Sequence, residues 1–253
     1  MTVWSSLGLG LVTSFLWLAL IEAIKRGNRE LRRHRPVRRL WNLQEESQLT
    51  IVISDAGLSD KSEYTGLVYP SETRAAGEIE TFLIRTYPKL TVQLHLSSNV
   101  SNELLSKDLV VIGGPIYNSI AKDLLTRSPS LANFDGYRLL LSNGNWSQEA
   151  TIDSNGEVTT DVGLVYITQN PWNPQKRIFL FAGSRAFGTL AASRIMTVID
   201  TIPTGRTLKK TELRRALNKS NFPVAFAVVA DVRHQDVLNV RIDQTSITIP
   251  SNY

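Results

Sequence analysis

Apolar and polar positions recur along the chain with two periods, and the switches between them outline the elements. From Leu49 to Ser54 (LTIVIS) a β-branched run predicts a strand that closes in a turn at Asp55-Ala56-Gly57. Between Ser71 and Tyr87, the positions Ala75, Ala76, Ile79, Phe82 and Leu83 recur at three and four residues, which predicts a helix followed by Pro88. Val92, Leu94 and Leu96 then alternate in a strand over 90–96, and a short helix over 101–105 precedes Asp108-Leu109-Val110-Val111-Ile112. A run apolar at successive positions suits a strand buried on both faces of a parallel sheet. It leads into Gly113-Gly114-Pro115 and a helix over 118–125, so the chain opens in the order β-α-β-α-β-α.

Beyond that helix the pattern predicts antiparallel pieces, which suit either an insertion or a sheet edge. A strand covers 136–142, a hairpin within 144–161 turns at Ser154-Asn155-Gly156, and 164–168 pairs across Asn170-Pro171-Trp172-Asn173-Pro174 with 177–181. The Asn170 to Pro174 loop suits a rigid turn, and its aromatic also suits a pocket wall or an oligomer contact. The strand at 177–181 ends in a second glycine turn, Ala182 to Thr189, and enters a helix over 190–199. A helix over 211–218 and strands over 224–232 and 237–242 complete the pattern. The expected architecture is a three-layer, Rossmann-like α/β domain with a mixed, mainly parallel sheet and an antiparallel insertion.

One stretch fits neither period. Val3 to Ile21 carries no charged residue and is long enough to cross a bilayer core, which predicts one transmembrane helix ahead of the domain. Lys25, Arg26, Arg29, Arg32, Arg33, Arg35, Arg38 and Arg39 follow it, opposed only by Glu30. Basic residues after the apolar span, with none before it, are the order of an uncleaved anchor and not of a signal peptide. They hold their flank in the cytoplasm, so the expected topology is single-pass in the cell inner membrane, N-terminus outside and C-terminal domain inside. The domains are then an anchor over 1–24, a basic juxtamembrane linker over 25–48 that also suits anionic headgroups, and a cytosolic domain over 49–253. Ser6, Gly10 and Ser14 place small residues four apart on the span, a face on which two such helices can approach to form a homo-oligomer.

Charge and composition then remove several functions. The net charge of +5 is exceeded by that basic run alone, so the rest of the chain lacks the positive footprint of a nucleic-acid binder. There are no cysteines, and His34, His95 and His234 are scattered, so neither a thiolate nor a histidine metal site is expected and no cofactor is indicated.

Ligands of such sheets sit at the carboxyl ends of the strands, where glycine turns expose backbone N–H groups at helix starts. Three loops there supply the candidate ligand-binding residues: Ser54, Asp55 and Gly57; Gly113, Gly114 and Asn118 around Pro115; and Gly183, Ser184, Arg185, Gly188 and Thr189. Arg185 offers a guanidinium for phosphate or carboxylate, and Asn118 suits either a helix cap or a ligand contact. Each loop also reads as ordinary strand-to-helix turn chemistry, and none holds a G-x-G-x-x-G, a Walker lysine or a G-x-S-x-G. For acid-base chemistry the best-placed candidate is Asp55 at a strand end, with Glu72 and Glu78 near the start of the following helix; Asp55 also suits a turn, and both glutamates also suit a helix start, where acids favour the macrodipole.

The segment Leu109-Val110-Val111-Ile112-Gly113-Gly114-Pro115-Ile116-Tyr117-Asn118 resembles the GGPxxN loop of Rossmann-like modules, including C-terminal domains of archaeal surface-layer proteins. The plan of a membrane helix followed by a cytosolic Rossmann-like domain is similar to membrane effectors of prokaryotic nucleotide-signalled defence systems, with CARF, SLOG or TIR-type sensor domains. That resemblance implies a signalling sensor or effector that binds a nucleotide or similar anion and carries over no site residues. Two other classes fit the same residues: a nucleotide- or NAD-processing hydrolase or transferase using Asp55 or Glu78, and a membrane-tethered scaffold with a vestigial cleft.

Overall fold

A computed structural model describes residues 38, 41–44, 46–55, 68–127, 131–142, 144–198 and 223–248. The expected membrane span, most of the basic linker, Gly57 and the helix expected over 211–218 lie outside the described residues. Among the described residues no helix is long and apolar enough to cross a membrane.

The β-α-β-α-β-α opening folds as its periods require. Strand β1 (Gln48–Ile53) lies between β2 (Thr91–Leu96) and β3 (Asp108–Ile112), parallel to both, with Ile51 opposite Leu94 on one side and Val110 on the other. Helix α1 (Pro70–Thr86) carries the chain from β1 to β2, and the single-turn helix α2 (Asn102–Leu105) precedes β3. Pro70 suits the first turn of α1, where its missing N–H is no loss. All of β3 is buried, as its unbroken apolar run anticipates, whereas the edge strand β2 leaves Leu94 about half exposed. Helix α3 (Ser119–Arg127) follows the Gly113-Gly114 turn.

The second half departs from expectation. Strands β4 (Ala132–Asp135), β5 (Arg138–Leu141) and β6 (Trp146–Gln148) form a small antiparallel sheet of their own. Strand β7 (Thr151–Ile152) turns through Gly156 into β8 (Val158–Asn170), which turns again at Pro171-Trp172 into β9 (Asn173–Gly183). The two hairpins read from the sequence therefore share one long strand. Helix α4 (Ala186–Val198) leads on, and β10 (Val224–Arg233) and β11 (Asp236–Ile242) close the sheet.

The main sheet runs β2-β1-β3-β9-β8-β10-β11, with β7 on β8. It is parallel from β2 to β9 and antiparallel from β9 to β11. The sheet is thus mixed, but not mainly parallel, and its antiparallel strands are half of the main sheet. The cause lies in β8, whose buried stretch from Asp161 to Ile167 sits between β9 and β10. A central strand buried on both faces looks alike in either orientation, so the apolar pattern carries no direction.

Each sheet face has its own cover. Leu109, Val111, Leu164, Tyr166, Ile178 and Leu180 form one core with Ala121, Leu124 and Leu125 of α3 and Leu139 and Leu141 of the small sheet. The alternate residues, among them Val110, Ile112, Phe179 and Phe181, project from the other face, where α1 and α4 pack on the strands and on each other. Close packing of α4 on β8 depends on Gly163 and Gly188, because a Cβ on either would collide with the other segment's backbone carbonyl.

Candidate functional site

The parallel half of the sheet brings the loops after β1, β3 and β9 to one end, and a cavity of about 330 Å³ opens there. Its walls come from the start of α1 (Tyr69, Glu72), the loop after β3 (Gly114 to Tyr117), the β4–β5 turn with Phe134 and Tyr137, and the loop after β9 (Gly183 to Thr189). Most of that lining is aromatic or aliphatic. Tyr69 and Tyr117 meet in a tilted pair with ring centroids 5.4 Å apart. Burial, with the Tyr117 phenol beside it, pushes the Tyr69 hydroxyl up to about 12, so it stays protonated and able to donate.

Two side chains of opposite charge enter this apolar setting. Glu72 is 5% exposed and its carboxylate accepts the Ser54 N–H at 2.9 Å and the Ser54 hydroxyl at 3.0 Å. Burial pushes it up to about 6, and the two Ser54 hydrogen bonds restrain the shift. Gly113 makes room for this pair: its φ of +118° is one that a side chain rarely adopts, and a Cβ there would strike Ser54 Oγ and Glu72 Oε1. Arg185 supplies the positive charge. Its guanidinium lies 4.7 Å from the Tyr137 ring centroid, and its Nε is buried without a hydrogen-bond partner among the described residues.

Two of the helix starts around the cavity, those of α3 and α4, are capped from within, whereas that of α1 has no side-chain cap. Asn118, fully buried, accepts the N–H groups of Ile120 and Ala121 at 3.1 Å each and donates to the Ile112 carbonyl. At α4 the acceptor comes from β8: fully buried Asp161 takes the N–H groups of Gly188 at 2.6 Å and Arg185 at 3.2 Å. Burial pushes Asp161 up to about 6, against those hydrogen bonds. A carboxylate thus occupies the helix start where the glycine turn suggests an incoming anion. The positive charge of this loop lies on the Arg185 side chain.

The sequence candidates separate accordingly. Gly114, Gly183, Ser184, Arg185 and Thr189 line the cavity, while Ser54 and Gly113 stand behind it and position Glu72. The Ser184 hydroxyl is engaged with the Tyr137 carbonyl and the Ala150 N–H, tying the loop to the small-sheet segment. Gly188 serves packing and the Asp161 contact, and Asn118 is a cap. Asp55 accepts the Ser98 hydroxyl and does not line the cavity. Glu78 is held elsewhere: Arg194 of α4 grips it through Nε at 2.9 Å, so it joins the two helices outside the cavity. The Asn170 to Pro174 turn lies beside the start of β3, where Asn170 donates to the carbonyls of Leu105 and Lys107, at the opposite end from the cavity.

Glu72, not Asp55 or Glu78, is the acid that reaches the cavity; its first-turn position was legible, but its burial was not. Tyr69, Tyr117, Tyr137 and Asp161 escape a sequence reading because each belongs to a different element and gains meaning only where those elements meet. Among the described residues no group of histidines or acids is placed to hold a metal ion. No protein-family model matches the chain, and no curated protein matches it.

Proposed function

We propose that the domain over 49–253 binds an anionic small molecule with an aromatic ring, a nucleotide or close analogue, in the cavity at the ends of β1, β3 and β9. The observation that carries this reading is Arg185: a guanidinium laid on Tyr137, its Nε unpartnered, in a cavity walled by tyrosines. An aromatic base finds stacking surfaces there, and a phosphate or carboxylate finds a guanidinium whose fork matches it. With the uncharged stretch from Val3 to Ile21 and the basic run behind it, the reading extends to a membrane-anchored sensor or effector.

The test is calorimetry and thermal shift on the full chain in detergent micelles, against AMP, GMP, NAD and a cyclic dinucleotide. The expected result is binding of at least one of these that Arg185→Ala weakens by more than about tenfold. Binding by none would overturn the reading. Coupling to the membrane predicts that the bound nucleotide changes self-association of the full chain in lipid discs, and that Gly10→Leu removes the change without removing binding.

Glu72 favours a second reading, in which the cavity processes the nucleotide. It lines the cavity, and burial holds it near neutrality, where a carboxyl both donates and accepts protons. Product analysis after the same titrations separates the two: turnover lost in Glu72→Gln means an enzyme, and ligand recovered intact means a sensor.

A further inference from the structure

A second cavity, of about 360 Å³, adjoins the first and shares Pro115, Ile116, Phe134 and Gly136 with it as a common wall. Its remaining lining differs in chemistry. Lys122 and Thr126 of α3 and Asn133 of β4, all exposed, border it. Among the described residues no carboxylate pairs with Lys122. The Asn133 side-chain oxygen is used by the Phe134 N–H at 2.8 Å, which leaves its amide NH₂ as a donor. The Thr126 hydroxyl donates to the Lys122 carbonyl at 2.8 Å, so its oxygen remains an acceptor.

The first chamber is aromatic and holds one guanidinium. The second is polar and holds one ammonium. At the α3 start Asn118 already takes the Ile120 and Ala121 N–H groups, and at the α4 start Asp161 takes those of Arg185 and Gly188. Anionic groups on a ligand are therefore met by two separated side-chain cations, one on each side of the Pro115-Ile116 wall. A ligand carrying a single anionic group satisfies only one of them.

We infer that the cleft takes a two-part ligand, a nucleotide with at least two phosphate groups, its base and first phosphate in the tyrosine chamber with Arg185 and a further phosphate in the adjoining chamber with Lys122. This deepens the nucleotide-binding reading and rests on it. Pro115, Ile116, Phe134 and Gly136 then form the ridge over which the ligand passes. Lys122 and Asn133 discriminate diphosphates from monophosphates, whereas Arg185 recognises both.

The experiment is isothermal titration of the full chain in detergent micelles with AMP, ADP, GMP and GDP. For the base that binds, the diphosphate is expected to bind about tenfold more tightly than the monophosphate, the gain of one charge-assisted contact. Lys122→Ala should bring that ratio to about one, and Arg185→Ala should weaken mono- and diphosphate together. Lys89→Ala, at an exposed lysine that lines neither chamber, controls for general charge and should preserve the wild-type ratio. Equal affinity of wild type for mono- and diphosphate, or a ratio unmoved by Lys122→Ala, overturns the two-chamber inference while leaving the nucleotide reading intact. Failure of all four nucleotides to bind the wild type overturns the two-chamber inference, and failure of NAD and a cyclic dinucleotide as well overturns both readings.

Discussion

Glu72 owes its character to two residues distant from it in sequence. Ser54 supplies two hydrogen bonds to the carboxylate, and Gly113 leaves the space in which they form. Ser54→Ala removes the hydroxyl and keeps the N–H, so one of the two interactions that lower the Glu72 pKa disappears. Its pKa should rise further, followed by carboxyl-carbon NMR titration; a fall would show that the hydroxyl does not stabilise the ionised form. Gly113→Ala adds a Cβ in a strained conformation and against Ser54. It should destabilise the protein by about 2 kcal/mol or more in urea unfolding, and a loss under about 0.5 kcal/mol would mean that the loop relaxes away from the pair. Neither effect could be anticipated from the chain alone, where Glu72 has the ordinary appearance of an acid in a helix's first turn.

At the scale of elements, local signals were read correctly wherever the period was unambiguous. The helix over Pro70–Thr86 and the strands Thr91–Leu96, Asp108–Ile112 and Val224–Arg233 lie within a residue or two of their expected bounds. Helix α4 begins four residues earlier than expected, at Ala186, because Asp161 of β8 accepts N–H groups from its first turn. A cap delivered across the fold leaves no local trace. Asn118, by contrast, caps its own helix, and Asn118→Ala should cost about 1 kcal/mol or more; a neutral outcome in thermal unfolding would argue against the cap. Gly163→Ala tests the other support of α4. It should force the helix off β8 and lower the unfolding midpoint, with Gly77→Ala, which has open space around its added Cβ, as the tolerated comparison.

For the whole molecule, two buried carboxyls set an unusual pH response. Glu72 and Asp161 are both held up near 6, above their ordinary values of 4.5 and 3.8, so ionising them costs more in the fold than in the unfolded chain. The penalty is complete above the folded pKa and vanishes as pH falls towards the unfolded values, because the folded state takes up protons first. Stability should therefore rise on acidification from pH 7.5 to about 5, by on the order of 2 kcal/mol, and a flat or falling profile over that window would contradict the burial of both groups. Removing one carboxyl by Glu72→Gln should shrink the rise. The chain's own pattern was enough for the α/β class, most of the strands and helices, and the glycine turns at the strand ends, since these follow from side-chain period and turn chemistry within short windows. The direction of the sheet's second half, the neutralising of the α4 start by Asp161, and the meeting of Tyr69, Glu72, Tyr117, Tyr137 and Arg185 around one cavity were settled only by tertiary structure. Those features depend on which segments become neighbours, and a pattern of burial records that a residue is covered but not by what.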